Sequence, residues 1–232
     1  GFVIQTLIIG IGTWIASNLP WIVTQLGAKN EAPVGEIPDS VFYSFAIGAA
    51  VFLIAIIVTV WTTDENPPVD LEAFDLAKTE SAGFLAGAKE ILGSIVDMPK
   101  VMLQLGVVQF FSWFAFFTMW SFATPALTEH VFASPNPLAG AANFEAANAA
   151  FNVAANSVSS AMGVYGLSSM AFALLLAFYT SRFPINRRLV HGISLFIGGL
   201  GFAWMLHLNP ESAQQLKWCF ACIGVAWGSI LS

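Results

Sequence analysis

The chain has 232 residues, of which 57% are hydrophobic and 9% are charged, and its net charge is −6. Soluble domains contain about 25% charged residues, and a single core could not bury this much apolar surface. The composition therefore excludes an ordinary soluble domain and predicts an all-α polytopic membrane protein in contact with the lipid bilayer. Eight Lys and Arg residues without a basic stripe also exclude nucleic acid as an expected partner.

Six apolar segments follow one another along the chain. They cover residues 2–24, 41–62, 101–127, 158–180, 189–208 and 216–232. A spanning helix needs about 20 apolar residues, and we predict six transmembrane helices. In the first segment, Gly10 and Gly12 permit close contact with a neighbouring helix. Both ends of the chain fall at apolar segments, so we expect an internal piece of a longer protein.

The third segment carries a stripe of polar and aromatic residues. Residues 101–127 include no formal charge, and as a helix they would extend roughly 40 Å. One side of that helix would present Gln109, Trp113, Phe116, Trp120 and Thr124. Val, Leu, Phe and Met occupy the other sides. This pattern predicts a helix that faces lipid on its apolar sides and a partner or a wet cavity on the stripe, as in a transporter.

The basic residues indicate the orientation of the chain. If alternate loops face opposite sides, loops 64–100 and 181–188 form one set, and loops 25–40, 128–157 and 209–215 form the other. The first set contains Lys78, Lys89, Lys100, Arg182, Arg187 and Arg188, whereas the second is associated only with Lys29 and Lys217. Because cytoplasmic loops carry an excess of Lys and Arg, we expect the first set to be cytoplasmic.

The two longest loops have different compositions. Loop 64–100 has apolar residues at helical spacing, which predicts an amphipathic helix at the membrane surface. These residues are Phe84, Leu85, Ala88, Ile91, Leu92 and Ile95. Loop 128–157 begins irregularly at Pro135 and Pro137, and its Ala-rich remainder has the composition of a short external helix.

Two segments resemble helices of known sugar carriers. They are GFVIQTLIIGIGTWIASNLPWIV and QFFSWFAFFTMWSFATPALTEHVF, which are similar to the fifth and seventh helices of sucrose- and maltose-type sugar:proton symporters. These symporters belong to the glycoside–pentoside–hexuronide group and to the bacterial relatives of plant sucrose carriers. The order of two spans, a long linker and four spans also resembles the middle of a twelve-helix major facilitator protein. The loop SRFPINRR resembles that superfamily's basic loop motif, without its acidic residue and central Gly.

The resemblance implies that the chain consists of three parts. Residues 1–63 would be the last two helices of the N-terminal half, 64–100 the cytoplasmic linker, and 101–232 the first four helices of the C-terminal half. It also implies proton-coupled uptake of a di- or oligosaccharide, such as maltose or sucrose, by alternating access in the cell (inner) membrane. The family's proton-coupling residues cannot be assigned to any position of this sequence.

The third segment has the chemistry of a sugar site. Such sites place aromatic faces against the apolar face of a pyranose ring and direct amides or hydroxyls toward its OH groups. We therefore expect Gln109, Trp113, Trp120 and Thr124 to bind the sugar, with a contribution from Gln5 in the first segment. In the alternative interpretation, the two Trp residues pack between helices and Gln109 forms an interhelical hydrogen bond.

The basic loop is expected to set the membrane topology. Arg182, Arg187 and Arg188 would brace the cytoplasmic side, and a contact in a cytoplasmic gate is a further role for them. Cys219 and Cys222 form a CxxC pair inside an apolar segment, where packing is a simpler role than redox chemistry or zinc binding.

For the remaining polar residues, the sequence favours a structural role over a functional one. Asn18, next to Pro20, is expected to satisfy backbone carbonyls that the proline leaves free. Glu129 and His130 lie beyond the third segment, where a solvated pair is favoured over a proton relay.

Two alternatives to sugar:proton symport remain open. The nearer one is a related symporter for another solute or with Na⁺ coupling. The farther one is a membrane-embedded enzyme or a scaffold that transports nothing. No Ser/His/Asp set and no cluster of metal ligands stands out in the sequence, so we expect no enzyme activity, no metal and no cofactor.

Overall fold

The structure, a computed structural model, describes residues 2–33, 35–64, 69–80, 84–138 and 140–231. All regular structure in these ranges is helical, as predicted. The α-helices are α1 (Phe2–Gln25), α2 (Asp39–Thr62), α3 (Leu71–Glu80), α4 (Phe84–Val96), α5 (Lys100–His130), α6 (Phe144–Thr180), α7 (Arg187–Met205) and α8 (Leu216–Leu231). A 3₁₀ helix covers Pro210–Gln215.

Five of the described helices are long and apolar enough to cross a membrane. They are Ile4–Gln25, Asp39–Thr62, Lys100–His130, Phe144–Thr180 and Arg187–Met205. The predicted class, an all-α membrane protein, is therefore confirmed at this level. The sixth predicted segment forms α8, whose 16 residues extend about 24 Å, short of a hydrocarbon core of about 30 Å. A sixth span and the major facilitator fold stay predictions.

Helix α6 corrects the predicted boundaries. The sequence predicted a span from residue 158 and a separate short helix before it, but one continuous helix of 37 residues begins at Phe144. The reason is local, because Ala is the strongest helix former and the residues after Phe144 are rich in Ala. Pro135 and Pro137 precede this helix and do not interrupt it.

Helix α7 ends earlier than its predicted boundary at residue 208. It begins at Arg187, where the Asn186 side chain accepts a hydrogen bond of 3.2 Å from the Leu189 N–H. It ends at Met205, and a capping box between Asn209 and Ser212 begins the 3₁₀ helix. Capping therefore determines both the start of α7 and the start of the segment that follows it.

The chain separates into two compact units. The first consists of Gly1–Ala50 and Thr118–Ser232, and the second consists of Val51–Phe117. In the second unit, the predicted helix of loop 64–100 is present as α4, with Ile91, Leu92 and Ile95 exposed. Its position at the membrane surface stays a prediction. The side chains of Phe84 and Leu85 lie outside the described residues. Helix α3 was not predicted.

In the first unit, α1 contacts α6 through small residues. A Cβ atom added to Gly10 would lie 2.5 Å from the Gly166 carbonyl oxygen, and one added to Gly166 would lie 2.8 Å from the Gly10 carbonyl oxygen. Further along, a Cβ on Gly163 would lie 3.1 Å from Cβ of Ser17. Residue numbers rise on one helix as they fall on the other, so the two helices run antiparallel. Close backbone approach of this kind is typical of membrane helices.

Helix α8 contacts both α6 and α7 and contains the most completely buried residues of the first unit. The Ser168 hydroxyl of α6 donates a hydrogen bond of 2.5 Å to the Ala221 carbonyl. On the α7 side, a Cβ on Gly201 would lie 2.7 Å from the Cys219 carbonyl oxygen. Phe220 and Ile223 are fully buried. The core of this unit is therefore built around a short helix.

Candidate functional site

Two of the predicted sugar-binding residues, Gln109 and Trp113, belong to the second unit. They are four residues apart on α5 and therefore share one face of this helix. The side-chain oxygen of Gln109 is buried and accepts no hydrogen bond from the described residues. The Trp113 side chain is 39% exposed, and its ring centroid lies 5.8 Å from that of Phe117. This part of α5 thus combines a buried amide acceptor with a partly exposed indole.

The other two predicted residues on α5, Trp120 and Thr124, belong to the first unit and are half-buried. The Trp120 ring meets the Trp227 ring of α8 edge to face, with centroids 5.4 Å apart. Thr124 accepts a hydrogen bond of 2.9 Å at its backbone carbonyl from the Thr128 hydroxyl. The buried side chains of this part of α5 include Met119 and Ala123, each one position before a predicted residue. Trp120 and Thr124 therefore border the packed face of the helix.

Gln5 and Asn18 have different surroundings on α1. The Gln5 side chain is exposed, and its neighbour Thr6 is buried. Asn18 donates a hydrogen bond of 2.8 Å to the Trp14 carbonyl, and its side-chain oxygen accepts one of 2.7 Å from the Ser160 hydroxyl of α6. Asn18 therefore bonds a backbone carbonyl of its own helix and links α1 to α6. The carbonyl that Pro20 leaves without its helical donor is that of Ala16, so the role predicted for Asn18 stays a prediction.

The first unit contains a cavity with several polar side chains in its wall, which the sequence did not predict. Its volume is about 890 Å³, and it lies among the end of α1, the segment after it, the first half of α6 and the start of α8. Five amide side chains line it, namely Asn18, Gln25, Asn30, Asn156 and Gln214. Thr24, Ser157 and Ser160 contribute hydroxyls, and Trp21 contributes an indole ring. One signal was present in the sequence, because Asn156, Ser157 and Ser160 are clustered near the start of the predicted fourth span.

Some polar groups of the cavity wall are already engaged. The Asn30 side-chain oxygen accepts a hydrogen bond of 2.7 Å from the buried Ser40 hydroxyl. The Thr24 hydroxyl donates to the Pro20 carbonyl at 2.8 Å. These hydrogen bonds hold the end of α1 and the segment after it in place, so they shape the wall and leave other groups to face a ligand.

The predicted topology residues lie at the opposite end of α6 from the cavity. Arg182 lies between α6 and α7, Arg187 and Arg188 begin α7, and all three side chains are exposed. Nearby, His191 lies 3.1 Å from the Ser229 hydroxyl, measured from Nδ1. These positions are compatible with the expected topology, and a gate contact stays a prediction.

Beyond α5, Glu129 and His130 are both exposed. His130 approaches the Leu206 carbonyl at 3.4 Å through Nε2. Their exposure is compatible with the solvated pair that the sequence favoured over a proton relay.

The described residues contain no group of three or more His, Cys, Asp or Glu side chains that could hold a metal ion. Cys219 is buried and Cys222 is half-buried, and both are free thiols. Their carbonyl and Cβ atoms line the close contact with Gly201 of α7, where small residues are needed. No family model, no curated protein and no solved structure matches this chain.

Proposed function

We propose that this chain belongs to a secondary active transporter of the major facilitator type that takes up a sugar together with H⁺ across the cell membrane. The substrate class is a di- or oligosaccharide such as maltose or sucrose. Transport would proceed by alternating access, in which two halves of the protein rock about a site near the bilayer midplane. Within this proposal, Gln109 and Trp113 contact the sugar.

The observation that carries the proposal is the buried, unbonded side-chain oxygen of Gln109 on a membrane-length helix. Hydrocarbon offers no water to such a group, and an unsatisfied buried acceptor costs about 1–3 kcal/mol. Intramembrane polar groups of this kind mark substrate pathways. A sugar hydroxyl is a suitable donor, since it carries both a proton to donate and lone pairs for further contacts.

Trp113 supplies the second component of a sugar site. Side chains four residues apart on a helix have Cβ atoms about 5–6 Å apart, so the indole and the amide can contact one sugar ring. The partly exposed Trp113 face suits the apolar face of a pyranose, and the Gln109 amide suits its hydroxyls. A wholly apolar solute would leave the Gln109 amide without a matching contact.

The test is uptake of radiolabelled maltose and sucrose by cells that express the full-length protein, with and without a protonophore. Gln109→Ala and Trp113→Ala are compared with Gln104→Ala on the same helix and Trp61→Ala at the end of α2, where both side chains are exposed. We expect uptake that the protonophore abolishes. It should fall at least about tenfold in the first pair and stay near wild type in the control pair, at equal membrane levels.

Other outcomes would contradict separate parts of the proposal. Normal uptake in Gln109→Ala and Trp113→Ala would show that both residues only pack and do not contact the sugar. If uptake requires Na⁺ and is insensitive to the protonophore, the coupling ion is Na⁺ and not H⁺. If a well-expressed protein takes up neither sugar, the substrate assignment is wrong.

A further inference from the structure

The cavity of the first unit is bounded by helix ends that meet at one end of the unit. Helix α1 runs antiparallel to α6, as their glycine contacts show. Helix α8 runs parallel to α6, because Gly224 faces Tyr165 while Gly228 faces Ser169. The end of α1 and the starts of α6 and α8 therefore lie together. These three helix ends and the segment after α1 form the walls of the 890 Å³ cavity.

Three amide side chains on these walls are available to a ligand. Gln25 comes from α1, Asn156 from α6 and Gln214 from the 3₁₀ helix, and all three line the cavity. Within the part of the chain that the structure describes, none of them takes part in a hydrogen bond, whereas Asn18 and Asn30 do. Each free amide offers two N–H donors and one acceptor oxygen. The cavity therefore presents donors and acceptors from three directions.

The charge and the size of the cavity restrict the ligand. Its lining contains one carboxylate, Glu31, and one ammonium group, Lys217, so their formal charges cancel. The wall offers no excess of cationic groups to a phosphate ligand, and a lipid chain would leave the amides unpaired. The volume of about 890 Å³ is within the roughly 300–1,000 Å³ of small-molecule sites. A neutral ligand with many hydroxyls satisfies these conditions.

The topology that we predict from the basic residues of the whole chain would put the cavity on the outer side of the membrane. The loops at this end of the first unit carry Lys29, with Lys217 just beyond, whereas the opposite end carries Arg182, Arg187 and Arg188. Because cytoplasmic loops are enriched in Lys and Arg, we expect the end with three Arg residues to be cytoplasmic. A ligand from outside the cell would reach the cavity directly.

We propose that this cavity is a saccharide-binding site at the outer face of the protein. Gln25, Asn156 and Gln214 exchange hydrogen bonds with the ligand's hydroxyl groups, and the half-exposed indole of Trp21 offers a flat face to a sugar ring. The choice of a saccharide rests on the proposed function, but the residues differ from Gln109 and Trp113.

The first test is isothermal titration of maltose and of sucrose into the purified full-length protein in lipid nanodiscs. Asn156→Ala and Gln214→Ala are compared with two matched variants, Asn152→Ala on the same helix and Gln215→Ala next in sequence, which do not line the cavity. We expect the dissociation constant to rise about threefold to tenfold in each cavity variant, and more in their double variant. The matched variants should bind as the wild type does.

Binding and uptake together separate this proposal from the proposed function. If the double cavity variant binds both sugars with wild-type affinity, or the wild type binds neither, the cavity is not a saccharide site, and uptake then decides the transport proposal by itself. If sugar binding persists in Gln109→Ala with Trp113→Ala but is lost in the double cavity variant, the cavity proposal is supported even where uptake fails.

A labelling experiment avoids dependence on alanine variants that bind weakly. Ala149→Cys on the cavity wall and Ala150→Cys, next in sequence and outside the lining, are treated on intact cells with a membrane-impermeant maleimide, with the wild type as the background for Cys219 and Cys222. We expect sucrose to slow labelling at position 149 and to leave position 150 unchanged. Equal labelling rates with and without sucrose at position 149 would overturn the proposal.

Discussion

Gly10 and Gly12 lie two residues apart on α1 but have different surroundings. The sequence suggested close helix contact for both. In the structure, a Cβ on Gly10 would lie 2.5 Å from the Gly166 carbonyl oxygen and 2.8 Å from the Met170 Cβ, whereas one on Gly12 would meet no atom within 4 Å. Among the described residues, only Gly10 therefore lies at a close helix contact, and the contact of Gly12 stays a prediction.

This difference predicts opposite effects of the same substitution. Gly10→Ala should destabilise the protein by about 1–3 kcal/mol, because the added methyl group forces the backbones of α1 and α6 apart. Gly12→Ala should be neutral or slightly stabilising, since Ala is a better helix former by about 1 kcal/mol. Thermal unfolding in detergent, followed by fluorescence-detected size exclusion, measures both. Equal melting temperatures of the two variants would show that the α1–α6 contact is looser than described.

Trp120 shows how one residue type can have two roles on one helix. Its ring packs on Trp227, which in turn lies edge to face with Tyr165 at 6.4 Å. Aromatic pairs of this geometry contribute about 0.5–1.5 kcal/mol beyond the area that they bury. Packing between helices, the alternative that the sequence left open, therefore describes this Trp120 contact directly. Its role in sugar binding stays a prediction.

At the level of elements, α6 is longer than a membrane requires. Its 37 residues extend about 55 Å, against a hydrocarbon core of about 30 Å. Ala146 and Ala150, near its start, are exposed, and the helix reaches the cavity before it reaches its contact with α1. The first turns of α6 should therefore project into water on the outer side.

Cysteine accessibility tests this projection and the orientation together. Ala146→Cys should react with a membrane-impermeant maleimide on intact cells, because it lies before the spanning part of α6. Ser181→Cys, exposed at the other end of the same helix, should react only after the cells are opened. The reverse pattern would invert the orientation and would place the cavity on the cytoplasmic side.

At the level of the whole molecule, the two units share one property, a large exposed apolar surface. In the first unit, Phe45 is 76% exposed, and in the second, Phe52 and Phe110 are 67% and 66% exposed. Such side chains each gain about 1.5–3 kcal/mol on transfer out of water. Lipid is the environment that removes this surface from water, which agrees with the five membrane-length helices.

The surface predicts how the protein will fractionate. It should stay in the membrane pellet after washing with alkaline carbonate or with urea and should enter solution only with detergent. A soluble reporter and a peripheral membrane protein serve as controls in the same cells. Release by carbonate would contradict membrane spanning, since peripheral attachment is broken by that treatment.

The sequence alone determined most of the long helices and the membrane class, because both depend on local properties. Apolar runs, the charge-free stretch of residues 101–127 and the apolar spacing of loop 64–100 lie within single helices, where hydrogen bonds join residues four positions apart. The predicted start of α6 was wrong for a local reason as well, since an Ala-rich sequence favours both a separate loop helix and a longer spanning helix.

The tertiary structure alone decided which residues meet. Gly10 faces Gly166 and not a lipid, Trp120 packs on Trp227, and Gln25, Asn156 and Gln214 surround one cavity. These partners are separated by many tens of residues, and they meet because helices with small residues at matching heights pack closely. The spacing and composition of one segment do not predict which residues of another helix it will contact. The cavity could therefore be found only from the packed helices.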